Sequence, residues 1–226
     1  MDTSIPSSVN LKAVTICRQF IRFSYDLLGA YLDALAGLEV ARQKIIRHQN
    51  EKIDKLRQTQ PQNATMEFMD QQVVDHQLEA SQQQPEELLH RSTQGEFKRR
   101  AASGGLDARF LGHMMVALLY GAWEDNYREK VALSLGHSKK NELKSELFQD
   151  INKLRQAILH NSGKATKEVE RAKVIQWFKL DDEIFITSKQ ARKLLDEIDH
   201  YVSQLCGIQS HQQFQIILKL LDRHKA

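Results

Sequence analysis

Residues 140–163 read KNELKSELFQDINKLRQAILHNSG, and the fold is decided there. Leu143, Leu147, Ile151, Leu154 and Ile158 recur at intervals of three and four, which gathers apolar side chains on one face of an α-helix. The pattern predicts a helix over about 140–160. Asn161-Ser162-Gly163 ends it, because glycine takes the left-handed conformation after a helix without a Cβ penalty.

Upstream, Asp107 opens the most apolar segment of the chain. Phe110, Met114, Met115, Leu118, Leu119, Trp123, Tyr127, Val131 and Leu135 occupy nearly every face up to Trp123, which predicts a central helix ended by Gly136. Downstream, the period changes. Val174–Phe178 and Glu183–Thr187 flank an Asp181-Asp182 turn and predict a small β-hairpin. Thr187 and Gln190 then form a capping box for a helix to about Leu205, and a short final helix covers Gln213–Leu221.

The N-terminal part reads as one long helix over 9–57, or two in succession, capped by Ser8 or Asn10. Leu11, Val14, Phe20, Phe23, Leu27, Leu28, Tyr31, Leu32 and Leu35 carry its apolar face. From Arg42 onward it turns basic, with Lys44, Arg47, Lys52, Lys55 and Arg57, either as a solvated extension or as an RNA-facing stripe. Residues 58–85 are Gln-rich and contain Pro61 and Pro85, the composition of a linker with a short helix near Met66–Leu78. A basic cluster, Lys98-Arg99-Arg100, precedes a break at Ala101–Gly105. The expected fold is all-α, an antiparallel helical bundle with a small β-hairpin insertion and a long N-terminal helix. Its expected divisions are an N-terminal helical segment (1–57), a linker and basic segment (58–105) and a helical core (106–226).

Only 10 glycines and 3 prolines in 226 residues agree with long helices. Hydrophobic residues at 41% and charged residues at 27% make a globular rather than a disordered composition. The net charge of +3 is compatible with a polyanionic partner. Cys17 and Cys206 stand far apart in apolar helical patterns, which predicts buried free thiols, no disulfide framework and a reducing, cytoplasmic location. The segment before Asn10 lacks the basic start of a secretory signal. The longest apolar run, Met114–Trp123, is about half the ~20 residues that span a bilayer, so no membrane partner is expected. Gly-x-Gly-x-x-Gly, P-loop, His-Glu-x-x-His and Cys-x-x-Cys patterns are missing, and neither a cofactor nor a metal is expected.

Chemistry concentrates at the end of the 140–160 helix, where Arg155 is followed by four residues, then His160 and Asn161. Arg42 and His48 have similar spacing, but they lie inside a polar run with no terminator. The Arg155–His160–Asn161 arrangement resembles the signature of the HEPN domain family, with Gln156 where that family more often has Asn, Asp or His. Leu118-Leu119-Tyr120-Gly121-Ala122-Trp123-Glu124 is similar to the family's apolar helix that ends in an aromatic residue and a Glu. The resemblance covers about residues 106–206. It implies a HEPN-type bundle, a homodimer that builds its site across a two-fold axis, and cleavage of RNA without a metal. A toxin or defence effector is implied, with an antitoxin or other regulatory protein as a further partner. The alternative within the same family is a non-catalytic helical dimer that binds RNA or a protein.

These residue types suit that reaction. Attack by the 2′-OH requires a base for its proton and an acid for the leaving 5′ oxygen, and histidine, with an ordinary pKa near ~6.5, serves either role. A guanidinium meets the extra charge of the transition-state phosphate with two parallel hydrogen bonds. Five helical steps set Arg155 and His160 about 140° apart around the axis, so they do not share a face. The catalytic candidates are Arg155, His160, Asn161 and Glu124. Asn161 orients His160 or the phosphate, or caps the helix. Glu124 holds Arg155, or pairs with Arg128 one turn on; Asp150 and Glu146 are other acids within reach of Arg155. The RNA-binding candidates are Gln156, Lys153, Lys164 and Lys167, with Lys139, Lys140, Arg171 and Lys173 nearby. Trp123 and Trp177 stack on bases or pack in the core.

Overall fold

The computed structural model describes residues 10–78 and 87–208, and the short helix expected at Gln213–Leu221 lies outside them. The chain is mostly helical with one two-stranded antiparallel sheet. The described residues fall into two compact units, one running to Leu32 and resuming at Gly112, the other Asp33–Leu111. The unit borders lie inside helices.

Helix α1 spans Leu11–Thr59 without interruption. Of the two proposed caps, Ser8 precedes the described residues. Asn10 does the work: its Oδ1 accepts the Ala13 N–H at 3.0 Å, and its Nδ2 donates to the Ser134 carbonyl at 2.7 Å. The first unit joins the start of α1 to α4 (Leu106–Gly121, from Gly112 on), a π-helical segment Ala122–Tyr127, α5 (Arg128–Ser134), α6 (Glu146–His160), α7 (Lys167–Glu170) and α8 (Ser188–Leu205).

The centre of this unit is aromatic. Trp123 stacks on Phe148 with centroids 4.2 Å apart and planes 11° from parallel. Phe20 tilts against both, at 5.2 Å and 5.8 Å, and Tyr201 meets the Phe148 ring edge-on at 5.6 Å. One cluster thus ties α1, the π-helical segment, α6 and α8 together, and offset and edge contacts of this kind add to the burial of large apolar area. Ile151, Leu154, Leu194, Ile198 and Val202 extend the core along α6 and α8. Cys17 and Cys206 are both buried and unbridged. They approach closely enough that a hydrogen bond between the thiols, and then burial, push the Cys17 thiol far above its ordinary range.

The capping box expected before α8 is present, with Thr187 Oγ1 accepting the Gln190 N–H and Gln190 Oε1 accepting the Thr187 N–H at 2.9 Å. Gly136 ends α5 at φ +87°. The helix expected over 140–160 begins later, at Glu146. Lys140–Glu142 form a 3-10 turn, and Ser145 caps α6 by accepting the Phe148 N–H at 3.2 Å.

The hairpin expected at 174–187 does not form. The backbone N–H groups of Lys173 and Val174 donate to Asp150 Oδ2, each at 2.7 Å, and that of Ile175 does so at 3.3 Å. The other arm bonds to the turn after α6: Ile184 N–H to Gly163, Ala165 N–H to Asp182 and Asp181 N–H to Ala165. With these groups engaged elsewhere, the two arms cannot form a ladder with each other.

The sheet lies in the second unit, within the stretch read as a linker. Strands β1 (Val73–Leu78) and β2 (Glu87–Thr93) pair antiparallel with Val73 opposite Thr93 and Asp75 opposite Arg91. Arg91 reaches across the ladder to Asp75 at 2.7 and 2.8 Å. Thr93 then caps α3 (Gln94–Arg100) in a capping box with Glu96. Gln49 of α1, fully buried, donates to Asp70 at the end of α2 (Met66–Asp70) and to Gln94, each at 2.9 Å, and accepts from Lys98 at 2.8 Å. Burial raises the Asp70 carboxyl, but hydrogen bonds from Lys98 and Gln49 outweigh it and leave the group below its ordinary range. This network gives Lys98, part of the basic cluster, an internal role. Among the described residues no helix is long and apolar enough to cross a membrane.

Candidate functional site

The site is built on α6. Its buried face, Leu147, Phe148, Ile151, Leu154 and Ala157, fixes the rotation of the helix, sends Gln156 and His160 outward and leaves Asn152 half-buried. His160 occupies the last turn and is exposed. Asn161 donates from Nδ2 to the Lys164 carbonyl at 2.9 Å, so its side chain holds the turn. Gly163 sits at φ +74° with its N–H on the Ala157 carbonyl. A Cβ at Gly163 would lie 2.6 Å from His113 Cε1, and the His113 ring donates from Nε2 to the Ile184 carbonyl at 2.7 Å.

Asp150 fixes the other side of the helix. It is 1% exposed, and besides the three backbone N–H groups of 173–175 it accepts from Lys153 Nζ at 2.7 Å. Burial alone would raise its pKa; the hydrogen bonds from Lys153, Val174 and Ile175 hold it below the ordinary carboxylate range.

A cleft of about 460 Å³ opens beside the helix end, lined by Asn152, Gln156, His160, Asn161, Thr166 and Glu168, with Lys153 at its wall. Arg155 is not in it. Its guanidinium stands over the Tyr120 ring of α4, 5.5 Å from the centroid. The structure thus brings His160, Asn161, Gln156 and Lys153 to one cleft and leaves Arg155 on the adjoining flank, as the 140° rotation requires. Glu124 does not hold Arg155. It pairs with Arg128 at 2.8 Å and Lys140 at 2.9 Å, because the π-helical turn that carries it faces those two cations. Burial pushes the Glu124 carboxyl up, and hydrogen bonds from Lys140 and Arg128 bring it below its ordinary range. Nor do the acids of α6 hold Arg155: Asp150 is engaged as above, and Glu146 pairs with Lys173. Lys164 and Lys167 are exposed on the turn and the start of α7, outside the cleft wall. Trp123 belongs to the core.

A second cleft, about 450 Å³, lies further back along α6, lined by Tyr120, Glu124, Asn141, Lys144, Gln149 and again Asn152. Burial, followed by the charge of Glu124, raises the Tyr120 phenol above its ordinary value and keeps it protonated. Tyr120 and Asn152 are the residues that reading the sequence missed. Tyr120 lies within an apolar helix and Asn152 among many polar residues at helical spacing, and contacts across helices carry no signal in a single sequence. Met114 and Leu118 of α4 and Leu159 of α6 are 58%, 52% and 52% exposed. The Arg155–Tyr120 and Gly163–His113 approaches set α6 antiparallel to α4, with Leu159 level with that apolar pair. Among the described residues no three His, Cys, Asp or Glu side chains gather to hold a metal ion. Comparison with protein-family models, curated proteins and solved structures finds no match.

Proposed function

We propose that this chain is a metal-independent endoribonuclease of the HEPN type, its site shared between two copies. The observation that carries the reading is His160, exposed on an open cleft in the last turn of α6, with Arg155 one flank away. In this reading His160 moves the proton of the 2′-OH or of the leaving 5′ oxygen, and Arg155 meets the charge on the phosphate. Two such residues about 140° apart on one helix converge on a single phosphate most simply when a second copy brings its own helix end alongside. Exposed Met114, Leu118 and Leu159 at the same level supply apolar surface for that copy. Lys153, tied to Asp150, orients the cleft wall in this reading rather than offering a free charge to RNA. A role as a toxin or defence effector, under the control of a second protein, follows the same resemblance.

The test is incubation of the purified chain with mixed cellular RNA in EDTA, wild type beside His160→Ala. Cleavage by wild type, with 2′,3′-cyclic phosphate ends and loss of at least about 100-fold in the variant, supports the reading. Cleavage that persists in the variant removes His160 from the mechanism. The contact of Arg155 with Tyr120 favours the alternative, a non-catalytic dimer whose arginine serves packing. Wild-type protein that cuts no RNA decides for that alternative.

A further inference from the structure

Gln149, Asn152, Gln156 and His160 follow one another at three- and four-residue steps, a polar stripe about 16 Å long on α6. That is the length of about five stacked nucleotides at 3.4 Å each. Asn152 is the residue common to both clefts, and its Oδ1 is buried with no hydrogen-bond partner. A buried acceptor left unpaired is costly, and a site that contains one gains when a ligand brings the missing donor. The cleft behind it has the volume of a small-molecule site, with an aromatic wall at Tyr120 and a second amide at Gln149.

We propose that this second cleft is a base-recognition subsite that takes an adenine next to the scissile phosphate, read by Asn152. The amide presents an acceptor and a donor side by side, the complement of the N6 amino group and N7 of adenine. The N6 amino group supplies the hydrogen that Asn152 Oδ1 lacks. The backbone then runs along the stripe toward Gln156 and His160, which places the phosphate of that nucleotide at the first cleft. Glu124, the acid at the same wall, is neutralised by Arg128 and Lys140 and does not repel the strand. The proposal rests on the ribonuclease reading for its substrate, but binding tests it without any cleavage.

The experiment uses the full chain and short single-stranded RNAs with one adenosine at a fixed site. In a matched set, purine riboside, which lacks only the N6 amino group, replaces that adenosine. Binding is read by fluorescence anisotropy with 2′-deoxy substitution at the cut, and cleavage is read on the all-ribo strands in EDTA. The variants are Asn152→Leu, which removes the acceptor at similar size, and Asn152→Asp, which retains it. Wild type is expected to favour adenosine over purine about tenfold or more, the Leu variant to lose that preference, and the Asp variant to keep it. Equal affinity for the two bases in wild type, or an unchanged preference in the Leu variant, overturns the proposal and leaves the cleft to water. A preference that appears in binding while no RNA is cut sustains the subsite and refutes the nuclease reading. Cleavage without a preference does the reverse.

Discussion

Replacing Gly163 by alanine tests the account of how the helix end is held. The residue sits at φ +74°, where a Cβ costs about 1–2 kcal/mol. The new methyl would meet His113 Cε1 at 2.6 Å, well inside van der Waals contact, and Nε2 at a tight 3.3 Å. Relief requires the imidazole to move, and overpacking of this kind costs about 1–3 kcal/mol. Moving the ring also breaks its 2.7 Å hydrogen bond to the Ile184 carbonyl, a further loss of about 1 kcal/mol. The expected total is about 4 kcal/mol. Both tryptophans, Trp123 and Trp177, lie in the same compact unit, so urea unfolding followed by their emission reports on the correct part of the molecule. At an m-value of about 2 kcal/mol/M the midpoint should fall by about 2 M. Combining Gly163→Ala with His113→Ala should recover about 2 kcal/mol relative to the sum of the single losses, because the clash then has no partner. A loss below 1 kcal/mol in Gly163→Ala, or strict additivity in the double variant, would refute the reasoning.

Three further outcomes follow from the same geometry. Asp150→Ala, which leaves three backbone N–H groups and Lys153 without their acceptor, should lower stability by about 3 kcal/mol or more in urea unfolding. Because the folded pKa of Asp150 lies below the unfolded value of about 3.9, its contribution should be complete above about pH 5 and disappear as pH falls through the lower folded value. The difference between wild type and Asp150→Ala should therefore shrink in acid, and a difference that grows there contradicts the assignment. Phe148→Ala, at the centre of the aromatic cluster, should cost about 3–5 kcal/mol, and a smaller loss would mean that α6 is held mainly by Asp150. On the proposed two-copy nuclease reading, Met114→Glu with Leu118→Glu, at two largely exposed positions, should leave circular dichroism unchanged but shift the mass in light scattering from two copies to one and lower RNA cleavage; unchanged mass with full activity excludes this face as the interface.

The elements that could be read in the sequence were those with both a period and a stop signal. Helix α6 announced itself through Leu147, Ile151, Leu154 and Ile158 with Gly163 beyond, and α8 through its Thr187–Gln190 box. The misplaced hairpin is instructive in the opposite sense. Val174–Phe178 has strand composition, but its backbone donors go to a single carboxylate on another helix, a competition that composition cannot express. The real hairpin lies in a Gln-rich stretch interrupted by Pro85, where Val73 and Val74 are the only β-branched residues of β1. At the candidate site, His160 and its cap were legible because they are contiguous. Glu124 meets Arg128 at the four-residue spacing that the sequence offered, whereas its second partner, Lys140, and the Tyr120 seat of Arg155 come from packing between elements, which leaves no mark on residue spacing.

The two buried sulfurs carry a practical consequence. Cys17 belongs to α1 and Cys206 closes α8, so the pair joins the two ends of the described part of one compact unit. With its proton held, Cys17 offers no nucleophilic thiolate near neutral pH, and an alkylating reagent gains it only when the two helices separate. The rate at which such a reagent consumes the thiols is therefore a clock for the opening of the aromatic core, already installed in the natural chain and requiring no added label.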